Sequence, residues 1–353
     1  MSEPFVPGLL LRLPEPPRKI ALLRASRIGD FLCATPALRA LRKALPEAEI
    51  TMITLPLLRD LALRSPYIDR FLPFPGFPGI AEQFFDARRT TQFFQQMQEE
   101  KFDLAIQMQG SGVYSNPFTL LLGARLTAGF VRDGDGAGRL DAALPYPQNV
   151  HEVRCVLALA TFLGVPAQGE DIEFPLWRED HQAAEVLLKD AVRPLIGLHP
   201  SARVATRRWP LERFAAAGAE LRQRHGGTVV ILGEPEEQDS GDAVAQQIGG
   251  NCLNLAGKTS LPVLGAVITR LAVLLTNDTG PAHIAYALRA PTVTVFGAGN
   301  PATNGPLNDG PFRVLAYTVP CRPCGYTTCP IGYTCLEGVS VQQTVHAAEE
   351  VWR

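Results

Sequence analysis

The chain has 353 residues, 46% hydrophobic and 19% charged, with a formal net charge of -2. That balance is globular rather than disordered, the length exceeds one ordinary core and predicts two domains, and the near-neutral charge argues against bulk nucleic-acid binding. No apolar run reaches the roughly 18–20 residues that cross a bilayer. The opening MSEPFVPGLLLRLPEPP carries Glu3, lacks a basic n-region and has prolines on both sides of a short apolar patch, so it does not read as a secretory signal. Residues 1–18 read as a loose arm of a cytoplasmic protein.

Lys19 to Arg24 is the first strand candidate, and Ala25 to Asp30 a loop with Gly29. A helix follows through Thr35, Pro36 and Leu38 to Ala44, with Pro36 placed near its start, where proline is tolerated. Glu49–Thr54 is a strand, Leu57–Arg64 helical, Ile68–Leu72 a short strand and Pro73–Gly79 a turn-rich loop. An amphipathic helix over about Phe84–Glu99, a strand Phe102–Gln107, a helix near Ser115–Gly123 and a strand near Leu126–Phe130 complete a βαβα rhythm. Such a rhythm predicts a parallel, doubly wound sheet with binding loops at the strand C-termini. Residues 131–150, rich in Gly and Asp, read as a mobile loop. His151–Leu163 is a helix, and Gln168–Arg178 crosses to the second half.

There Leu195–Leu198 is a strand, His199–Pro210 its loop, Leu211–His225 a helix and Thr228–Leu232 a strand. Gly233–Glu237 opens a helix to Ile248, Cys252–Leu255 is a strand and Ser260–Arg270 a helix. Leu271–Leu275 is an apolar run of strand length that stops at Thr276 and Asn277. Asp278 then takes the N-cap position, Thr279 and Gly280 open a turn, and Pro281 starts a helix through His283 to Leu288. Pro291–Phe296 is the last clear strand and Val339–Trp352 a closing helix.

Five places are candidates for chemistry. Asp30, at the first strand-to-helix joint, is a candidate general base or a helix cap. The 276–283 turn, with its free N–H groups, suits an anion. In the same half Arg203, Arg207 and Arg208 crowd one loop beside Ser201 and Thr206, and arginine forks match phosphate oxygens. Two anion-friendly loops in one domain suggest a diphosphate between them. Glu236 or Glu237 is placed to accept ribose hydroxyls, or to favour a helix N-terminus. Cys321, Cys324, Cys329 and Cys335 are spaced C-x2-C-x4-C-x5-C. The run lacks a second x2 pair, so unligated thiols ordering a loop are preferred over a structural zinc, with a redox role third. Cys33, Cys155 and Cys252 sit in apolar contexts and read as small core residues.

The stretches Arg27–Thr54 (RIGDFLCATPAL…), RRWP at 207–210, GEPEE at 233–237, KTSL at 258–261 and NDTGPAH at 277–283, in this order, resemble glycosyltransferase family 9. These are the ADP-heptose:lipopolysaccharide heptosyltransferases. The resemblance covers nearly the whole chain from about Lys19. It implies an α/β GT-B fold, two Rossmann-like domains with parallel sheets facing an interdomain cleft. Residues 19–176 would bind the acceptor, 177–338 the nucleotide sugar, and 339–353 form a C-terminal helix. It implies inverting transfer of a heptose from ADP-heptose to a lipopolysaccharide inner-core acceptor, with no metal or other cofactor required. Asp30 matches the family's proposed base. Arg207 stands where the family usually has lysine in K-x-W-P, so a fork replaces a point charge. Ser201, Arg208, Asp278, Thr279, Gly280 and His283 would surround the diphosphate, Glu236 or Glu237 the ribose, and Thr259 the adenine.

The rival expectations are a relative using another nucleotide sugar or acceptor, and a nucleotide-sugar-binding protein or epimerase without transfer activity. A dehydrogenase is disfavoured, since no G-x-G-x-x-G follows the first strand. The expected partners are the nucleotide sugar and a lipid-linked oligosaccharide, with no nucleic acid, for a monomer in the cytoplasm. Phe74, Phe77, Phe84 and Phe85 either touch the inner membrane peripherally or belong to the core.

Overall fold

The structure, a computed structural model, describes residues 4–353. The chain divides between Glu173 and Phe174 into two compact units. The first has strands β1 (Lys19–Arg24), β2 (Glu49–Thr54), β3 (Arg70–Pro73), β4 (Leu104–Gln107), β5 (Leu126–Val131) and β6 (Ala142–Pro145). All pair in parallel in the order β3-β2-β1-β4-β5-β6, with Ile20 opposite Ile50 on one side and Leu104 on the other. Central strands are apolar almost throughout because helices cover both faces. Those helices are α1 (Ile28–Ala44), α2 (Arg59–Arg64), α3 (Ala87–Glu100), α4 (Ser115–Leu121) and α5 (Glu152–Phe162).

Four local expectations need correction in this unit. Helix α1 starts at Ile28, so Pro36 lies mid-helix and Asp30 in the first turn. Proline there removes the N–H that would bond Leu32 O, and the Thr35 hydroxyl donates to that same carbonyl (2.7 Å). The helix keeps its satisfied backbone at the cost of one buried side-chain hydroxyl. Helix α3 begins after Asp86, whose carboxylate accepts from Arg89 N (2.7 Å) and caps it. Residues 131–150 are not all loop: β6 adds an edge strand, held also by Asp141, whose carboxylate accepts from Thr127 N (2.8 Å). Nor is the described part of the arm loose, since Gly8 N and Leu10 N donate to Phe162 O and Leu163 O and Leu9 is buried. Phe74 and Phe77 join a core aromatic cluster with Phe93, Phe94 and Phe118, at centroid distances of 5.0–6.0 Å. Phe84, by contrast, is 84% exposed.

The second unit repeats the plan. Its strands are β7 (Leu195–His199), β8 (Thr228–Ile231), β9 (Cys252–Asn254), β10 (Val273–Asn277), β11 (Thr292–Val295) and β12 (Phe312–Leu315), parallel in the order β12-β11-β10-β7-β8-β9. Its helices are α6 (Arg178–Leu187), α7 (Leu211–His225), α8 (Gln238–Ile248), α9 (Leu261–Ile268), α10 (Gly280–Ala287), the short α11 (Pro301–Asn304) and α12 (Thr334–Glu337), and α13 (Val341–Val351). Helix α6 and strand β12 lie outside the elements expected from sequence. Along α6 only Asp180 and Ala184 are buried, so its apolar signal is thin; β12 is a half-buried edge. Strand β10 runs on through Thr276 and Asn277 rather than stopping before them. The N-cap of α10 is Thr279, one residue later than expected.

In both sheets the strand order reverses beside the first strand of the unit, between β1 and β4 and between β7 and β10. Crevices at strand C-termini open at such points, where neighbouring loops diverge to opposite faces. Asp30 follows β1, and Thr276 sits opposite His199 on β10 and β7. No helix among the described residues is long and apolar enough to cross a membrane.

Candidate functional sites on the two units

On the first unit the Asp30 side chain is 43% exposed, open enough to meet a substrate. Beneath it lies Arg24, the last residue of β1 and only 2% exposed. The guanidinium donates to Asp30 O through Nε (3.2 Å) and Nη2 (3.0 Å), to Glu152 Oε1 through Nη2 (2.7 Å), and to Met108 O through Nη1. Its Nη2 stands 3.9 Å from Asp30 Oδ1. Packed protein around the lower side of the carboxyl pushes Asp30 above the usual carboxylate range, and the negative Glu152 and Glu82 add to that. Arg24 and a backbone hydrogen bond from Arg27 pull the other way. A base poised nearer to neutrality than an ordinary aspartate is better matched to accepting a hydroxyl proton. Asp30 also accepts from the backbone N–H of Arg27, the N-cap of α1, so it closes the helix start from the first turn rather than as the N-cap itself.

On the second unit the loop after β7 carries Ser201 and the three arginines, and Asn277 at the end of β10 pins it. Asn277 Oδ1 accepts from Trp209 N (2.9 Å), and Nδ2 donates to Pro200 O (2.9 Å) and Ser201 O (3.2 Å). Trp209 is fully buried against Phe214, and its indole N–H donates to Val339 O (3.1 Å). The loop is therefore anchored at both ends before any ligand arrives. Replacing Asn277 with alanine leaves the buried Trp209 N–H unpaired and should cost about 1–3 kcal/mol. Equilibrium denaturation checks this.

Arg207 Nη1 stands 3.3 Å from the Asp278 carboxylate; the arginine side chain is 42% exposed and the aspartate side chain 3%. Asp278 thus holds the arginine from the buried side while its fork remains open to solvent. Thr279 caps no N–H of α10; its hydroxyl lies within 3.3 Å of both Asn277 O and His199 Nδ1, and Thr276 Oγ1 within 3.4 Å of the same nitrogen. Burial pushes buried His199 down to about 4, so it is neutral at physiological pH. His199 therefore brings no positive charge to this end of the sheet, whereas Arg207 and the start of α10 do.

Other expected donor residues fall into different roles. Arg208 donates to Ala202 O through Nη2 (2.7 Å) and Nε (3.3 Å), bracing the loop. Arg203 is exposed, and Ser201 and His283 are buried, His283 edge-on to Tyr286 at 5.8 Å. Glu237 accepts from Glu234 N (2.8 Å) in a capping box, whereas Glu236 is exposed after β8. Thr259 precedes Ser260, the N-cap of α9. All four cysteines from 321 to 335 are free thiols, Cys321, Cys324 and Cys329 on the irregular segment between β12 and α12 and Cys335 inside α12. Among the described residues no group of three or more His, Cys, Asp or Glu is gathered for a metal ion. That segment leans on the site loops instead: Cys324 N donates to Ala298 O (3.1 Å) and Thr206 Oγ1 to Tyr326 O (2.6 Å). Of the three cysteines assigned to the core, Cys33 and Cys155 are buried and Cys252 is half-buried.

Arg24, Glu152, Asn277 and Gly299 were not among the expected site residues. A Cβ at Gly299 would collide with Asp278 Oδ2, so the loop after β11 can approach the carboxylate only as glycine. The signal available in sequence was the GAGN run directly after a buried strand.

Comparison with known proteins bears on the family and the fold. The profile of glycosyltransferase family 9 (heptosyltransferase) matches residues 90–334. The lipopolysaccharide core heptosyltransferase OpsX of Haemophilus influenzae is 24% identical over 305 residues, covering 84% of this chain and 83% of that protein. A family 9 glycosyltransferase from Veillonella parvula superposes with a TM-score of 0.79 at 22% identity, covering 95% of this chain and 97% of the other. The Escherichia coli ADP-heptose lps heptosyltransferase II does so with a TM-score of 0.76 at 21% identity, covering 94% and 98%. The fold is therefore α/β of the GT-B kind, built from two Rossmann-like units. The chain belongs to glycosyltransferase family 9 and is a glycosyltransferase.

Proposed function

We propose that the chain is an inverting, metal-independent heptosyltransferase that moves a heptose from ADP-heptose to a lipopolysaccharide inner-core acceptor. The first unit takes the lipid-linked acceptor and the second the nucleotide sugar. The acceptor hydroxyl attacks the anomeric carbon as ADP leaves, through an oxocarbenium-like transition state. Asp30 accepts the hydroxyl proton as the new bond forms. Negative charge grows on the departing diphosphate, and Arg207, Thr279, Gly280 and the first N–H groups of α10 stabilise it. Ser201 and His283 line the diphosphate, Glu236 takes the ribose hydroxyls that a capping Glu237 is not placed to take, and Thr259 meets adenine. Fixed positive charge does the work of a divalent cation. The enzyme works as a cytoplasmic monomer at the inner face of the inner membrane.

The observation that carries this reading is the anchored Arg207–Asp278 pair beside the uncapped start of α10, at the switch point of one sheet. It is supported by the names of relatives matched over more than four-fifths of the chain. Mass spectrometry of the protein with a panel of nucleotide sugars and a lipid A-core acceptor, with and without EDTA, tests it. Heptose addition from ADP-heptose that persists in EDTA is expected. Addition of a different sugar would replace the donor, and an epimerised donor with no acceptor product would replace transfer altogether.

A further inference from the structure

The pair beneath Asp30 is more than that position needs for folding. A guanidinium nearly closed off from water carries a desolvation cost of several kcal/mol, and an apolar side chain could end a central strand without it. Here Arg24 instead gathers four elements at the switch point: β1, which carries it; the carbonyl of Met108 just after β4; the backbone of α1 at Asp30; and the first residue of α5, Glu152. Glu152 gains from the N-terminus of its helix, and its other oxygen lies 3.5 Å from the Tyr146 hydroxyl. The same guanidinium that Glu152 holds is the nearest cation to the open Asp30 carboxylate.

We propose that Arg24 and Glu152 are positioning residues for Asp30: Glu152 fixes Arg24, and Arg24 fixes the helix turn that carries the carboxylate and balances the charge beside it. The role rests on Asp30 being the base. The charged and titratable groups around Asp30 are Arg24 from β1, Glu152 from α5, and Glu82 with its partner Arg27, 2.6 Å apart, from the loops before α3 and α1. Tyr146, Cys155 and Cys33 face the pair from behind. Burial pushes the Tyr146 hydroxyl upward and the Cys155 thiol up to about 12, so both stay neutral across the working range. Among the described residues, the charged groups around the carboxylate of Asp30 are then Glu152, Glu82, Arg24 and Arg27.

The two partners then act with opposite sign. Glu152→Gln keeps the side-chain shape and an acceptor for Arg24 but removes a negative charge near Asp30. It leaves Arg24 answering to Asp30 alone, so the acid limb of the turnover–pH profile should move to lower pH. Turnover low on that limb, relative to the plateau, should rise about threefold or more, the effect of about half a pH unit. Arg24→Gln removes the cation and should move the limb to higher pH, while Glu152→Asp should restore the wild-type profile in part. The full-length protein is used throughout, and the Asp30 carboxyl is followed in parallel by carbon NMR of selectively labelled aspartate, assigned with Asp30→Asn. Opposite displacements of the Asp30 titration in the two glutamine variants support the role. An unmoved titration in folded Glu152→Gln, with only a lower melting temperature, overturns it; Glu152→Gln decides alone if Arg24→Gln does not fold. If instead Asp30→Asn turns over normally, the base assignment fails, whereas the NMR displacement still reports on the pair.

Discussion

Asp30→Ala should lower turnover at least about a hundredfold, within the 10²–10⁴ range that a general base contributes, with little change in ADP affinity. The side chain is open on one face, so the loss cannot be assigned to a collapsed core. It has a second job, however, because it accepts from the Arg27 backbone at the start of α1. Alanine removes the base and this capping bond together. Asp30→Asn separates them, since the amide oxygen still accepts that hydrogen bond and only proton acceptance is lost. Both variants should therefore be equally slow, while alanine alone melts earlier. Because the carboxyl titrates above the ordinary aspartate range, it is a base only once deprotonated, and wild-type turnover should fall as pH drops through that raised value. Near-normal turnover in Asp30→Asn would remove this residue from the mechanism.

What the sequence made legible follows from what is local in the chain. The β–α alternation and the buried runs of the central strands show in short windows of sequence, so the two doubly wound sheets could be read apart from their edge strands β6 and β12. Asp30 and the 276–283 turn could also be placed, because a strand end followed by a helix start is a contiguous pattern. Nothing local pairs Arg24 with Glu152, 128 positions apart, or Asn277 with Trp209, 68 apart. Each of those residues has a bland reading in its own window: a strand end, a helix start, the end of an apolar run, a core tryptophan. The tolerance of Pro36 depends less on its distance from the helix start than on the Thr35 hydroxyl serving Leu32 O, a contact that no spacing rule announces. That Glu237 caps its own short helix, while Glu236 does not, is likewise invisible in the sequence, where the two are adjacent and alike.

Arg207→Ala should weaken ADP binding and reduce turnover by about 10²–10³, the loss expected when one preorganised donor to a developing charge is removed. Two consequences have to be told apart. The exposed fork is lost to the diphosphate, and Asp278, buried on the sheet side with Gly299 against it, is left without its cation. Removing one partner of a buried pair is strongly destabilising, but here the arginine is half open to water, so the structural share should be modest. Arg207→Lys keeps a charge near Asp278 and lacks the fork. It should retain wild-type stability and most of the ADP affinity, with turnover between those of arginine and alanine. If lysine matches arginine in turnover, a point charge suffices for the leaving group and the planar fork contributes nothing. If alanine leaves ADP binding unchanged by calorimetry, Arg207 is only the counter-charge of Asp278, and the leaving diphosphate must find its stabilisation in Thr279, Gly280 and the first N–H groups of α10.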